Sequence, residues 1–149
     1  MMRAALLLAR ICVNEAGFDG AQDCIAIAEV VRANSGEITP GALELHAPRA
    51  TGSKPPLNAH QAWTQQLDED GTEPAAWRLA HPALPWERYR ERWLRVLRGC
   101  QLIVRGQVDR VCREVPIAWG GAMDRHIAER RGLVRVDCGN TRNEFWGRP

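Results

Sequence analysis

The stretch ARICVNEAGFDGAQDCIAIAEVV, Ala9 to Val31, sets the fold class. An apolar run ends at Asn14-Glu15-Ala16-Gly17, a short turn follows, and a second apolar periodicity starts at once. Gly17 has the residue type that stops a helix at its C-terminus. Leu6, Leu7, Ile11 and Val13 give the first helix a broad apolar face, which predicts a helix over 3–16. Beyond the turn, Cys24, Ile27, Ala28 and Val31 fall at i, i+3, i+4 and i+7, the spacing of one helical stripe. Asp19 has the residue type of an N-cap, and Gln22 stands three residues on, at capping-box spacing. The second helix is therefore predicted to run to about Ala33, before Asn34-Ser35-Gly36. Two helices joined by a tight turn leave Glu15 at the end of the first.

Thr39-Pro40 opens a third helix running to about His46, with proline where its missing N–H costs nothing. Residues 47–85 are rich in Pro, Gly, Thr and charge, have poor helical periodicity, and are expected to form an irregular loop region. Trp63 and Trp77 argue against disorder there. WERYRERWLRVLRGCQLIVRG, residues 86–106, is the clearest helix. Trp93, Val96, Leu97, Cys100, Ile103 and Val104 form its apolar face, the arginines at 88, 92, 95 and 98 lie off it, and Gly106 stops it. The tail predicts a short helical piece near 124–131 and a short strand over 133–136. The expected fold is mostly α, with at most a small sheet, in one compact domain over 1–149.

Composition narrows the function. The chain has 149 residues, 45% hydrophobic and 26% charged, as in an ordinary globular protein, and a net charge of only +2. That balance argues against a dedicated nucleic-acid or membrane-surface protein. Arginines on the 86–106 helix alternate with Glu87 and Glu91, the pattern of a solvated, salt-bridged face. No run reaches the roughly 18–20 apolar residues of a membrane span. The apolar run from Ala4 to Ala9 is interrupted by Arg10 and is shorter than the ~7–15 residues of a signal-peptide core. The expectation is a protein made in the cytoplasm without a signal peptide. None of the five cysteines forms CxxC, and neither a metal nor a cofactor is expected. Cys12, Cys24 and Cys100 sit at apolar helical positions and read as buried thiols. Cys112 and Cys138 lie in polar, loop-like surroundings and are the candidate disulfide pair, although pairing does not follow from sequence alone.

Glu15 is the residue on which chemistry would rest. The negative end of the helix dipole and partial burial both disfavour its charge, which raises its pKa. A carboxyl still protonated near neutral pH is what glycosidic bond cleavage needs as general acid. A solvated helix-end charge is the alternative reading of the same position.

Helix 1 ending in Asn14-Glu15-Ala16-Gly17, a Gly-containing turn and an Ala/Ile/Val-rich second helix resemble the start of the cell-wall hydrolase family related to spore cortex-lytic enzymes. LRGCQLIVRGQ resembles the helix before that family's second half. AWGGAMD stands in the place of its aromatic-Asn-Pro segment, and VDCGNTRNEFWG is similar to its terminal Ile-Gly-Asn-His-x-Phe-Tyr. The matched pieces cover residues 9–34 and 94–146. Asn14 stands where the family has Gly, and Thr141 or Arg142 where it has His. The resemblance implies a lysozyme-like domain cleaving peptidoglycan glycan strands, with Glu15 catalytic and Asn140 in the terminal Gly-Asn segment.

Sugar rings stack on indoles, so Trp119 beside Gly120-Gly121 is the expected cleft wall, with the glycines admitting substrate to the backbone. His60 and Trp63 are candidates for one wall of the cleft; His46, and His60 in its alternative reading, read as surface residues. No convincing second carboxyl is evident: Asp23 and Glu29 are expected to face solvent, and Asp124 and Glu144 are the remaining candidates. A single Glu suffices if the muramyl 6-hydroxyl attacks the anomeric carbon, which makes a lytic transglycosylase the preferred expectation and a two-carboxylate muramidase the alternative. Delivery by a holin or a phage-like particle would suit a protein without a signal peptide. A cysteine hydrolase and a non-catalytic particle-associated binding or structural protein are the further rivals.

Overall fold

The computed structural model describes residues 2–149. Its first helix, α1 (Met2–Ala16), is buried at Ala4 to Ala9, Ile11 to Val13 and Ala16. A helix apolar nearly all round needs partners on every side, and α1 has them. It packs against α2 (Ala21–Ser35), α3 (Pro40–His46), α4 (Pro48–Thr51), α5 (Ala59–Thr64) and α7 (Glu87–Val104), while α6 (Trp77–Ala80) packs on α5. Arg10 is a polar residue in the middle of α1. Its guanidinium donates to the carbonyls of Leu67 at 2.8 Å and Thr51 at 2.9 Å, anchoring the middle of the chain to the helix.

Gly17 closes α1 with φ +74° and donates its N–H to the Val13 carbonyl at 2.9 Å. The turn that follows corrects two expectations. Gly20, not Asp19, is the N-cap of α2, and no side chain caps it. A Cβ at Gly20 would lie 2.4 Å from the Ala16 Cβ, so the close approach of the two helices demands glycine at the cap and leaves Asp19 exposed. Gln22, expected in a capping box, donates instead to the Cys138 carbonyl at 3.1 Å. The same tight turn brings the Cα atoms of Cys12 and Cys24 to 5.1 Å, and the two form a disulfide rather than remaining thiols. Cys100 alone is free, and buried, among the described residues.

The 47–85 region is less irregular than its composition suggests. Three short helices punctuate it, and Asn58 caps α5 through the Gln61 N–H. Three indoles fasten it: Trp93 Nε1 donates to the Asp68 carbonyl, Trp86 Nε1 to Gly71, and Trp77 Nε1 to Leu84. Trp63, Trp77, Trp86, Tyr89 and Phe18 pack into one aromatic cluster. In α7, Trp93, Leu97, Cys100 and Ile103 are buried and Arg88, Arg92, Arg95 and Arg98 are exposed, as the periodicity requires.

Beyond α7 lie β1 (Ala118–Gly120), a 3-10 turn at Ala122–Asp124, α8 (Arg125–Arg130), β2 (Val134–Val136) and β3 (Glu144–Gly147). The strands form an antiparallel sheet in the order β1-β3-β2, with Trp119 opposite Phe145 and Val136 opposite Phe145. The fold is thus mostly α with one small sheet. Cys112 and Cys138 are disulfide-bonded.

Two carboxylates of α2 hold this C-terminal region, contrary to the expectation that they face solvent. Asp23, 2% exposed, accepts from the N–H groups of Arg142 and Asn143 and from the Asn143 side-chain amide at 2.9–3.0 Å. Glu29 accepts from the N–H groups of Val111 and Cys112 and from Arg110. The C-terminal backbone crosses α2 without a strand partner there, and the carboxylates satisfy its donors. Asp23→Ala, which removes the acceptor of three donors, two of them buried, is expected to cost about 2–4 kcal/mol. Asp19→Ala should stay within about 0.5 kcal/mol, as exposed positions without a role do. Urea denaturation of both variants measures the difference, and equal losses would refute this account of Asp23.

Candidate active site

Glu15 lies one residue from the end of α1, and its side chain enters a cleft of about 550 Å³. The cleft is lined by Asn14 and Glu15 from α1, Val30 and Asn34 from α2, His46 to Ala50, Gln61 from α5, and Ile117 to Trp119 with Arg131 from the C-terminal region. No carboxylate other than Glu15 lines it among the described residues. Burial raises the Glu15 pKa above the ordinary carboxylate range, and the nearby charge of Asp124 adds to the rise. The Trp119 indole N–H, the Asn14 amide and the charge of His60 oppose it, yet burial dominates.

The base of the carboxyl is held from several directions. The Asn14 side-chain amide reaches Glu15 Oε1 at 3.5 Å, and its own Oδ1 accepts from Thr64 Oγ1 at 3.3 Å. His60 Nε2–H donates to the Asn14 carbonyl at 2.9 Å, and Asn143 Nδ2 donates to the Glu15 carbonyl at 3.2 Å. The last two turns of α1 are therefore clamped by α5 on one side and by the Asp23-bound C-terminal segment on the other.

Trp119, on β1, stands in the cleft beside Glu15, where the sequence placed it. The His46 ring stacks on it, with centroids 6.1 Å apart and planes 23° from parallel. Burial lowers the His46 pKa, which favours the neutral imidazole. The two rings form an apolar plate at the cleft wall.

Other expected residues lie elsewhere. Trp63 is 3% exposed and belongs to the aromatic core, because the capped turn of α5 directs it inward onto Trp77 and Phe18. It supports the cleft from behind. His60 braces Asn14 and meets Trp63 edge-on rather than lining a wall. Asn140 is exposed on the loop after Cys138 and is absent from the cleft; Asn143, three residues on, is the asparagine that reaches Glu15. Gly120 serves packing: a Cβ there would meet Asp124 Oδ2 at 2.6 Å. Asp124 Oδ2 in turn accepts from the Gly121 N–H at 2.9 Å.

Of the two candidate second carboxyls, Glu144 is committed. Arg125 grips it through two bonds of 3.0 Å and Arg135 pairs with it as well. Hydrogen bonding by Arg125 lowers its pKa, the reverse of Glu15. Asp124, exposed and near enough for Glu15 to feel its charge, is the one that remains. Sequence reasoning does not reach His46, Asn14 or Asn143 as site residues: no periodic signal ties His46 to Trp119, and Asn14 stands out only as a departure from the resemblance described above.

Comparison with protein-family models, with curated proteins and with solved structures returns no match. The site is therefore interpreted on its own geometry. Because Glu15 holds its proton more tightly folded than unfolded, it favours folding most below the ordinary glutamate pKa. That contribution fades as pH rises through the raised folded value. Glu15→Gln, which keeps the shape and removes the ionisation, is expected to be more stable than the native protein at neutral pH. The gain should vanish in acid. Urea midpoints of both proteins across this range test it; a constant offset at all pH values would contradict the buried carboxyl.

Proposed function

We propose that the protein cleaves peptidoglycan glycan strands between N-acetylmuramic acid and N-acetylglucosamine, with Glu15 as the general acid and base. The observation that carries this reading is a half-buried carboxyl of raised pKa, the only carboxyl among the described residues that lines an open cleft walled by an indole. Protonated Glu15 gives its proton to the glycosidic oxygen as the bond to the muramyl anomeric carbon breaks. The N-acetyl group of the muramyl residue assists the departure. The carboxylate then takes the proton of the muramyl 6-hydroxyl, whose oxygen bonds to the anomeric carbon and closes an anhydro ring. Protons balance and no second carboxylate is needed, which favours a lytic transglycosylase. The Trp119–His46 plate offers the surface on which a sugar ring stacks.

Asp124 supports a second reading. Its charge reaches Glu15, so it is the residue that would steer a water in a muramidase. In either case the protein acts on the cell wall, and release through a holin or carriage on a phage-like particle are the proposed routes. Among the described residues no helix is long and apolar enough to cross a membrane.

Purified protein incubated with peptidoglycan, with products separated by mass, distinguishes the readings: anhydro-muramyl ends mark a transglycosylase, reducing ends a muramidase. Glu15→Gln should lower the rate by about 10²–10⁴-fold, as loss of a general acid does. Absence of glycan cleavage by the folded native protein across several peptidoglycan types would refute the proposal. The rate should fall as pH rises through the raised Glu15 pKa. Asp124→Asn removes a charge that favours protonation, so this alkaline limb should move to lower pH; an unmoved limb would exclude Asp124 from the site.

A further inference from the structure

The three cysteines that read as inert apolar residues converge on one point. Cys12 comes from α1, Cys24 from α2 and Cys100 from α7, and their sulfurs all lie within 4.8 Å of one another. Cys12 and Cys24 are bonded, and the Cys100 Sγ lies 3.3 Å from the Cys24 Sγ. Packing alone does not ask for a third sulfur against an existing bridge. A separate cavity of about 180 Å³ is lined by all three cysteines together with Phe18, Ile25 and Val108, so the cluster borders a space other than the Glu15 cleft.

We propose that Cys12, Cys24 and Cys100 form a thiol–disulfide exchange site in which the bridge moves between Cys12–Cys24 and Cys24–Cys100. Once local opening exposes it, the Cys100 thiol gives up its proton, and its sulfur swings into line with the Cys24–Cys12 bond and attacks the Cys24 sulfur. The Cys24–Cys12 bond breaks, and Cys12 leaves as a thiolate and takes up a proton. One S–S bond forms as another breaks, so the step needs neither oxidant nor reductant. Burial holds the Cys100 thiol pKa well above its ordinary value. Exchange therefore waits on exposure of that thiol, and the two bridged forms are separable.

The two bridges differ in what they tie. Cys12–Cys24 closes a short loop that contains Glu15, Gly17 and Gly20, and so holds the turn at the end of α1. Cys24–Cys100 ties α2 to α7 instead and leaves that turn to its hydrogen bonds. The exchange thus moves a covalent constraint on or off the segment that bears Glu15, whatever reaction Glu15 serves.

The test is disulfide mapping by mass spectrometry after acid quench and alkylation. In air-oxidised Cys12→Ser protein, Cys24 and Cys100 should be recovered bonded to each other. Native protein held with catalytic glutathione at mildly alkaline pH should yield both Cys12–Cys24 and Cys24–Cys100 peptides. Cys100→Ser should yield only the first. Amide exchange over residues 13–20 should be roughly tenfold or more faster in Cys12→Ser than in Cys100→Ser, the effect of releasing a closed loop. Recovery of Cys24 and Cys100 as free thiols in folded Cys12→Ser protein would overturn the proposal. Where that variant does not fold, the native arm decides: only Cys12–Cys24 after prolonged incubation overturns it equally.

Discussion

Burying α1 on nearly every side is the constraint from which the rest of the molecule follows. An apolar helix of this kind cannot lie on a surface, so α2, α3, α4, α5 and α7 are all recruited to cover it. The helix must also end where its cover ends. Gly17 turns the chain back, Gly20 lets α2 approach within contact of Ala16, and Glu15 is left at the boundary between core and cleft. Its raised pKa is thus a result of position: it sits where the packing of α1 runs out, too deep to be well solvated.

Comparison with the other buried carboxyls sharpens that point. Asp23 and Glu29 are more deeply buried than Glu15, yet each is surrounded by donors that favour its charge, and each is structural. Glu144 carries two arginines. Glu15 receives only a long bond from Asn14 and the Trp119 indole, while Asp124 repels its charge. Three of these acidic residues thus hold other segments of the chain in place, and the fourth, Glu15, faces the cleft.

The sequence made the helices legible wherever one face was apolar and a breaker stood at the end. This holds for α1, the Thr39-capped α3 and α7. It also located Glu15 and Trp119, because a glutamate before Ala-Gly and an indole before Gly-Gly each carry a local signal. What it did not show depends on contacts between distant segments. Asp23 and Glu29 look like surface residues of a helix until the C-terminal backbone is laid across them. Cys12 and Cys24 look like core residues until the turn between them is known to be tight. Trp63 looked like a cleft residue because nothing near it in sequence announces the four other aromatics it joins. His46 acquires its meaning only from Trp119, which comes to it from another element, β1.

The covering of α1 has a further consequence during synthesis. A chain is made from its N-terminus, so α1 leaves the ribosome well before α7, one of the main pieces of its cover, has been translated. Until then the apolar faces of α1 have only α2 and the short helices to lie against. A helix so dependent on a distant partner makes native contacts of long sequence separation, which form slowly and leave sticky surface exposed meanwhile. Arg10, lodged mid-helix and bound in the folded protein to Leu67 and Thr51, keeps one charge on that surface while it waits. The side chain that anchors the finished fold thus also interrupts the apolar surface of the unfinished one.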